Sequence, residues 1–157
     1  MDKDKIKQQN LMHMMSLWIV GMATTLYELF DETVYAAMGQ VGKDILMLME
    51  EEMGLEVAGE DPKDLVMEVC RIFIDELGFM GSFTVQEVEG GINVKTAKCL
   101  GWNATMKILE KGAETPFTCP IMNVAHAALT RIGRPSSRII NIIPDARGCD
   151  ITFRFVE

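Results

Sequence analysis

"FTVQEVEGGINVKTA", residues 83–97, is where the chain changes its period. Upstream, apolar residues recur at helical spacing. Here Phe83, Val85 and Val88, then Ile92, Val94 and Ala97, make two short β-prone runs. Between them stands Glu89-Gly90-Gly91, and a Gly-Gly pair takes the positive φ of a tight turn freely. The stretch predicts an antiparallel hairpin that divides a helical first half from a mixed second half.

Downstream, GWNATMKILEK (101–111) reads as a short helix ended by Gly112. TPFTCPIMNVAHAALTRIG (115–133) reads as a helix entered through Thr118, Cys119 and Pro120 and closed by Gly133. SSRIINIIPD and CDITFRFVE are two more strands, joined across Asp145 to Gly148. Ile139 and Ile142, and likewise Ile140 and Ile143, put apolar groups on both faces of the third strand. That pattern predicts cover on both sides.

Upstream, Asp61 caps a helix with Pro62 at its first position; Leu65, Val66, Val69, Ile72, Phe73 and Leu77 share one face, and Gly78 ends it. Before it, Val34, Ala37, Met38, Val41, Ile45 and Leu48 recur with helical spacing, as far as Glu50-Glu51-Glu52 and Gly54. Gly39 and Gly42 inside that helix each cost up to about 1 kcal/mol in propensity, which predicts a close backbone or ligand. Met12 to Phe30 is apolar almost all round, so it is either buried on several sides or an interface. The chain thus divides into an apolar helical segment, residues 1–25, a candidate dimer interface, and a domain over 26–157. The predicted class is α+β, with helices packed on a four-stranded antiparallel sheet built from two hairpins.

The bulk numbers narrow the function. A chain of 157 residues with 48% hydrophobic content buries a substantial core. Its longest apolar run, Leu11 to Met22, is interrupted by His13 and Ser16 and is too short to span a bilayer. The charged opening MDKDKIKQQN lacks a secretory pattern, so the expected address is cytoplasmic. A net charge of −8 opposes nucleic-acid binding. That charge is uneven: nine acidic groups and two lysines lie between Lys43 and Glu68, against seven basic residues and two glutamates between Lys95 and Arg138. Such asymmetry marks differently solvated faces, or helps copies dock, or draws an anionic ligand to the second half. The 13 methionines fill irregular cores or line adaptable pockets.

The chemistry-bearing residues favour binding over catalysis. There is no GxSxG, HExxH, Walker loop or GxGxxG. With two histidines, general-base chemistry has few partners, so the expectation is a protein that is not an enzyme. Four cysteines without a CxxC pair point to reduced thiols, with Cys70 inert on its helix. Cys119 at a helix amino terminus feels the positive end of the dipole, which favours thiolate. Met122 and His126, three and seven positions on, share its face. Cys119 and His126 are nevertheless about 10 Å apart along the axis, so one ion does not bridge them without a bend. Cys99, Cys119 and Cys149 would supply three zinc ligands if they converged at one end of the sheet, with a fourth from Asp145, Asp150 or His126. Arg131, Arg134 and Arg138, with Ser136 and Ser137, form a basic turn that is either a solvated face or an anion site. His13 sits among methionines, LMHMM.

Three stretches resemble the 4-vinyl reductase domain family: LYELFDETVYAAMGQVGKDILMLMEEEMG with its spaced glycines, PFTCPIMNVAHAAL, and ARGCDITFRF. The likeness runs from about Leu26 to Val156. It implies one α+β domain, related to trafficking-complex subunits and to haem nitric-oxide-binding domains. Members are commonly hydrocarbon or small-molecule binders, often sensory, and tend to dimerise. In similar aromatic-sensing members, three cysteines and a carboxylate hold zinc; Cys119 matches the first, but Cys149 is the only sulfur in the last hairpin here. The resulting expectation is a homodimeric carrier or sensor for an apolar or amphipathic ligand. Its walls would be Met38, Val41, Phe73, Met122 and His126, with Cys119 at the entrance. The alternatives are an empty protein-interaction scaffold and a thiol-ligated zinc or haem protein.

Overall fold

The computed structural model describes residues 3–156. Five helices and four strands follow in the order α1 (Lys3–Phe30), α2 (Thr33–Met53), α3 (Pro62–Asp75), β1 (Ser82–Val88), β2 (Gly91–Ala97), α4 (Trp102–Glu110), α5 (Pro120–Arg131), β3 (Ser136–Ile143) and β4 (Gly148–Phe155). The strands form one antiparallel sheet in the order β1-β2-β4-β3, so each hairpin contributes one central and one edge strand. The expected class and sheet are therefore present.

Local chemistry accounts for the boundaries. Asp61 accepts from the backbone N–H groups of Lys63 and Asp64, and Pro62 opens α3 as anticipated. In the first hairpin only Gly90 has positive φ, at 70°. Gly91 is already in β2, where a Cβ would collide with the Phe153 carbonyl of β4. One glycine makes the turn and the next admits the neighbouring strand.

The sheet's inner face meets the helices. Val85, Val94, Ile151 and Ile140 align across it, and α3 and α5 cover them. α5 is buried on nearly every side; its alanines let α2 and α3 approach. The outward rows carry Asn93, Lys95, Asp150 and Thr152, with Asn93 donating to Asp150 at 2.6 Å and to Thr152 at 3.0 Å. Within the described chain only the inner face of β3 is covered: Ile139, among those polar rows, is 43% exposed, and no amino-terminal helix lies over it.

A second, smaller core joins α1, α2 and α4. Ala23, Val34, Met38, Ile108, Ala113 and Phe117 are buried there, bordered by the Tyr27, Tyr35 and Phe117 rings at 5.5–6.2 Å centroid separations. α1 runs unbroken through residue 25, and beyond this contact its apolar surface is open.

The two helix glycines separate in role. Gly42 meets the backbone of Asn123, the crossing point of α2 and α5, whereas Gly39 has nothing within 4 Å of where a Cβ would be. The expectation of a close backbone holds at Gly42 and not at Gly39. Gly42→Ala should destabilise the fold by about 2 kcal/mol or more through overpacking. Gly39→Ala should stabilise it by up to about 1 kcal/mol. Urea denaturation of both variants checks the pair; similar effects from the two would refute the assignment.

Candidate ligand-binding site between α2, α5 and β3

Where α5 crosses α2 above the edge strand β3, polar groups gather with few partners. Arg138 projects from the inner face of β3, half-buried, and donates to Asn123 Oδ1 at 2.9 Å and to the Tyr35 carbonyl at 3.5 Å. Asn123, buried in α5, donates through Nδ2 to the Phe117 carbonyl at 2.9 Å. Arg138 therefore ties three elements together. Among the described residues it has no carboxylate within ion-pair distance. A guanidinium has five N–H donors, and most of these remain free.

His126 lies beside it. Its Nε2 is 3.0 Å from the Ser136 carbonyl. A carbonyl only accepts, so Nε2 carries the proton and Nδ1 is left as a bare acceptor. Among the described residues that Nδ1 and the Ser136 hydroxyl are buried without a hydrogen-bond partner, as is the Tyr35 hydroxyl, whose ring lies in the smaller core with Tyr27 and Phe117. Buried polar groups are normally satisfied, since each orphan costs about 1–3 kcal/mol. Burial lowers the His126 pKa, with Arg138 and Lys43 adding to the effect and the Ser136 carbonyl opposing it. Burial also lowers that of Arg138. The seam is thus electropositive, partly desolvated and rich in unused donors, suited to a carboxylate or a similar oxyanion.

The six expected wall residues are distributed differently. Phe73 and Met122 are packed in the main core, Met38 in the smaller one, and Val41 is 37% exposed. Cys119 is half-buried against the main core, and His126 joins the polar seam. Two open concavities lie elsewhere. One, of about 440 Å³, is lined by Glu50, Glu51, Gly54, Glu56, Val57 and Arg131. The other, of about 360 Å³, includes Pro62, Glu87, Arg134 and Phe155. None of the six lines either. Of the basic turn, Arg131 is held by Glu50 at 2.9 Å and by the Val57 carbonyl at 2.6 Å, and Arg134 lies over the Phe155 ring at 5.7 Å. Arg138 alone of the three turns inward. Asn123 and Tyr35 escaped the sequence reading, because neither type nor spacing marks a residue that works through one amide and one backbone carbonyl.

The thiols do converge. Cys99, Cys119 and Cys149, joined by Cys70, are near enough for their charges to raise one another's pKa values. Burial is the larger cause; it pushes Cys119 up to about 11 and Cys70 and Cys149 up to about 12. At Cys119, the cap residue of α5, burial outweighs the N–H groups of Met122 and Ile121, so the expected thiolate is replaced by a protonated thiol at neutral pH. Among the described residues no group of three or more His, Cys, Asp or Glu side chains is arranged for a metal ion. No helix there is long and apolar enough to cross a membrane.

No protein-family model matches the chain, and no curated protein does. Its fold is that of an α+β class with solved examples. It is similar to the crystal structure of the Fe(II) unliganded H-NOX protein from K. algicida, with a TM-score of 0.52 at 11% identity over 88% of this chain and 72% of that one. A glycine-for-alanine variant of that protein gives 0.52 at 12% identity over the same shares. At such identity the likeness establishes the fold. Among the described residues His13 is exposed on α1, and His126, whose Nδ1 is a bare acceptor, belongs to no group of three or more metal-ligating side chains. The thiol cluster likewise gives zinc no support.

The His126 shift has a measurable sign. Its folded pKa lies below the ordinary 6.5, so the unfolded chain takes up the proton first. This contribution is intact above about 6.5 and is lost as the pH falls through the folded value. His126→Gln should flatten the decline in unfolding free energy as the pH falls below about 6.5. A variant that declines as steeply as wild type would show that another group governs that range.

Proposed function

We propose that this chain is a small-molecule-binding domain of the 4-vinyl reductase kind. Its ligand is amphipathic, with an acidic head at Arg138 and an apolar body between the helices and the sheet. The single observation that carries this is a half-buried guanidinium without a counter-ion among the described residues, close to the buried, unpartnered Ser136 hydroxyl and His126 Nδ1. A ligand oxyanion supplies the acceptor that the Arg138 guanidinium and the Ser136 hydroxyl lack. The apolar body enters by repacking Met38, Phe73, Met122 and Val41, since methionine adapts its rotamers readily. Cys119 stands at the entrance as a neutral thiol. A likeness in fold to H-NOX proteins is consistent with a carrier or sensor. The working form is a cytoplasmic homodimer. A second reading, an interaction scaffold without ligand, draws on the open apolar surface of α1.

Decanoate, an amphipathic carboxylate, is the probe. Native mass spectrometry should show one equivalent bound per chain, and the melting temperature should rise with ligand concentration. Arg138→Gln should weaken binding at least about tenfold, the cost of losing a charge-assisted pair. Decanol should bind more weakly than decanoate. Equal affinity for acid and alcohol would remove the role of Arg138, and no binding of either would favour the scaffold.

A further inference from the structure

We infer that α1 is the pairing surface for a second copy of this chain, aligned antiparallel, helix against helix. This deepens the homodimeric part of the proposal above and is independent of the ligand. α1 is apolar on two opposite sides. One side, with Val20, Ala23 and Tyr27, packs on the smaller core. About half a turn round the helix lies a second stripe, Leu11, Met15, Trp18, Met22 and Leu29, spaced by fours and threes or their sum. Nothing among the described residues covers it: Leu11 is 62%, Trp18 60% and Leu29 69% exposed. Patches of this extent on a monomer mark an interface.

Both the stripe and the charges select the occupant. The stripe follows coiled-coil spacing, and in an antiparallel pair turning about a point between Ser16 and Leu17, Leu11 meets Met22 of the other copy and Met15 meets Trp18. The same pivot brings the first turns, with Lys5 and with Lys7, which is 3.7 Å from Asp4 of its own helix, beside the acidic end carrying Glu28. Glu28, Asp31 and Glu32 make no ion pair among the described residues, so they are available. A parallel pair would set lysine against lysine and glutamate against glutamate. A 28-residue helix is about 42 Å long, and pairing along that length approaches the roughly 800 Å² per partner of a standard interface.

Sedimentation equilibrium of the full chain should give twice the 17.6 kDa chain mass at micromolar concentration. Trp18→Glu with Met22→Glu should give the single mass while keeping a cooperative urea transition, since both side chains are exposed in the monomer. Lys5→Glu with Lys7→Glu should weaken dimerisation on the order of tenfold, and adding Glu28→Lys should restore it. A monomeric wild type overturns the inference, and one that also co-sediments with phosphatidylcholine vesicles identifies a lipid surface instead. A dimer indifferent to Trp18→Glu with Met22→Glu overturns the surface. Failure of charge reversal to rescue overturns the antiparallel alignment. Decanoate binding measured on the same variants keeps these outcomes separate from the ligand question.

Discussion

At residue 42 the carbonyl of Asn123 occupies the place where a side chain would begin, and that contact between α2 and α5 governs the geometry around it. Without a Cβ the two helix backbones approach to van der Waals distance, closer than the usual 8–10 Å between axes allows for large side chains. The approach fixes α5 over the sheet and turns the Asn123 side chain toward Phe117 and Arg138. Arg138 in turn reaches the carbonyl of Tyr35 on α2. One absent methyl group therefore sets the relation of two helices, an edge strand and the polar seam between them.

Much of this architecture is written in periodicity. The switch from helical spacing to Phe83, Val85, Ile92 and Val94 announces the sheet, and Asp61-Pro62 announces α3, because local geometry dictates both. The glycine pair of the first hairpin is legible as a turn, but the need for Gly91 is not: it arises from β4, about sixty residues away in the chain. The same limit applies to the site. Arg138 and Ser136 stand out as part of a basic cluster, yet three nearby arginines look alike in sequence. Only the fold sends Arg131 to Glu50, Arg134 to Phe155 and Arg138 inward.

The cysteines show two rules in competition. Helix-terminus position argues for a reactive thiolate at Cys119, and burial argues for a neutral thiol. Desolvation is the larger effect here, and the neighbouring thiols add to it because a charge on one opposes a charge on the next. Convergence alone does not make a metal centre: ligating sulfurs must present deprotonated lone pairs at about 2.3 Å from a shared point. All four thiols lie in or against the hydrophobic core, where a neutral thiol packs as a small apolar group.

The charge asymmetry of the sequence resolves on two scales. Within the chain, the acidic first half and the basic second half meet directly, as Glu50 with Arg131, so part of the imbalance is internal complementarity. Arg71 is similarly surrounded by Glu68, Asp75 and Glu76 on its own helix. Such exposed pairs contribute little energy, about 0–1 kcal/mol each, and chiefly set register. Among the described residues, the acidic end of α1, with Glu28 and the nearby Asp31 and Glu32, and the guanidinium of Arg138 have no ion-pair partner. These are different deficits. The acidic end of α1 is solvated and flanks an apolar stripe, the arrangement that aligns two extended surfaces; Arg138 is half-buried, where a counter-charge is worth more because water competes less. The first calls for a large partner and the second for a small one.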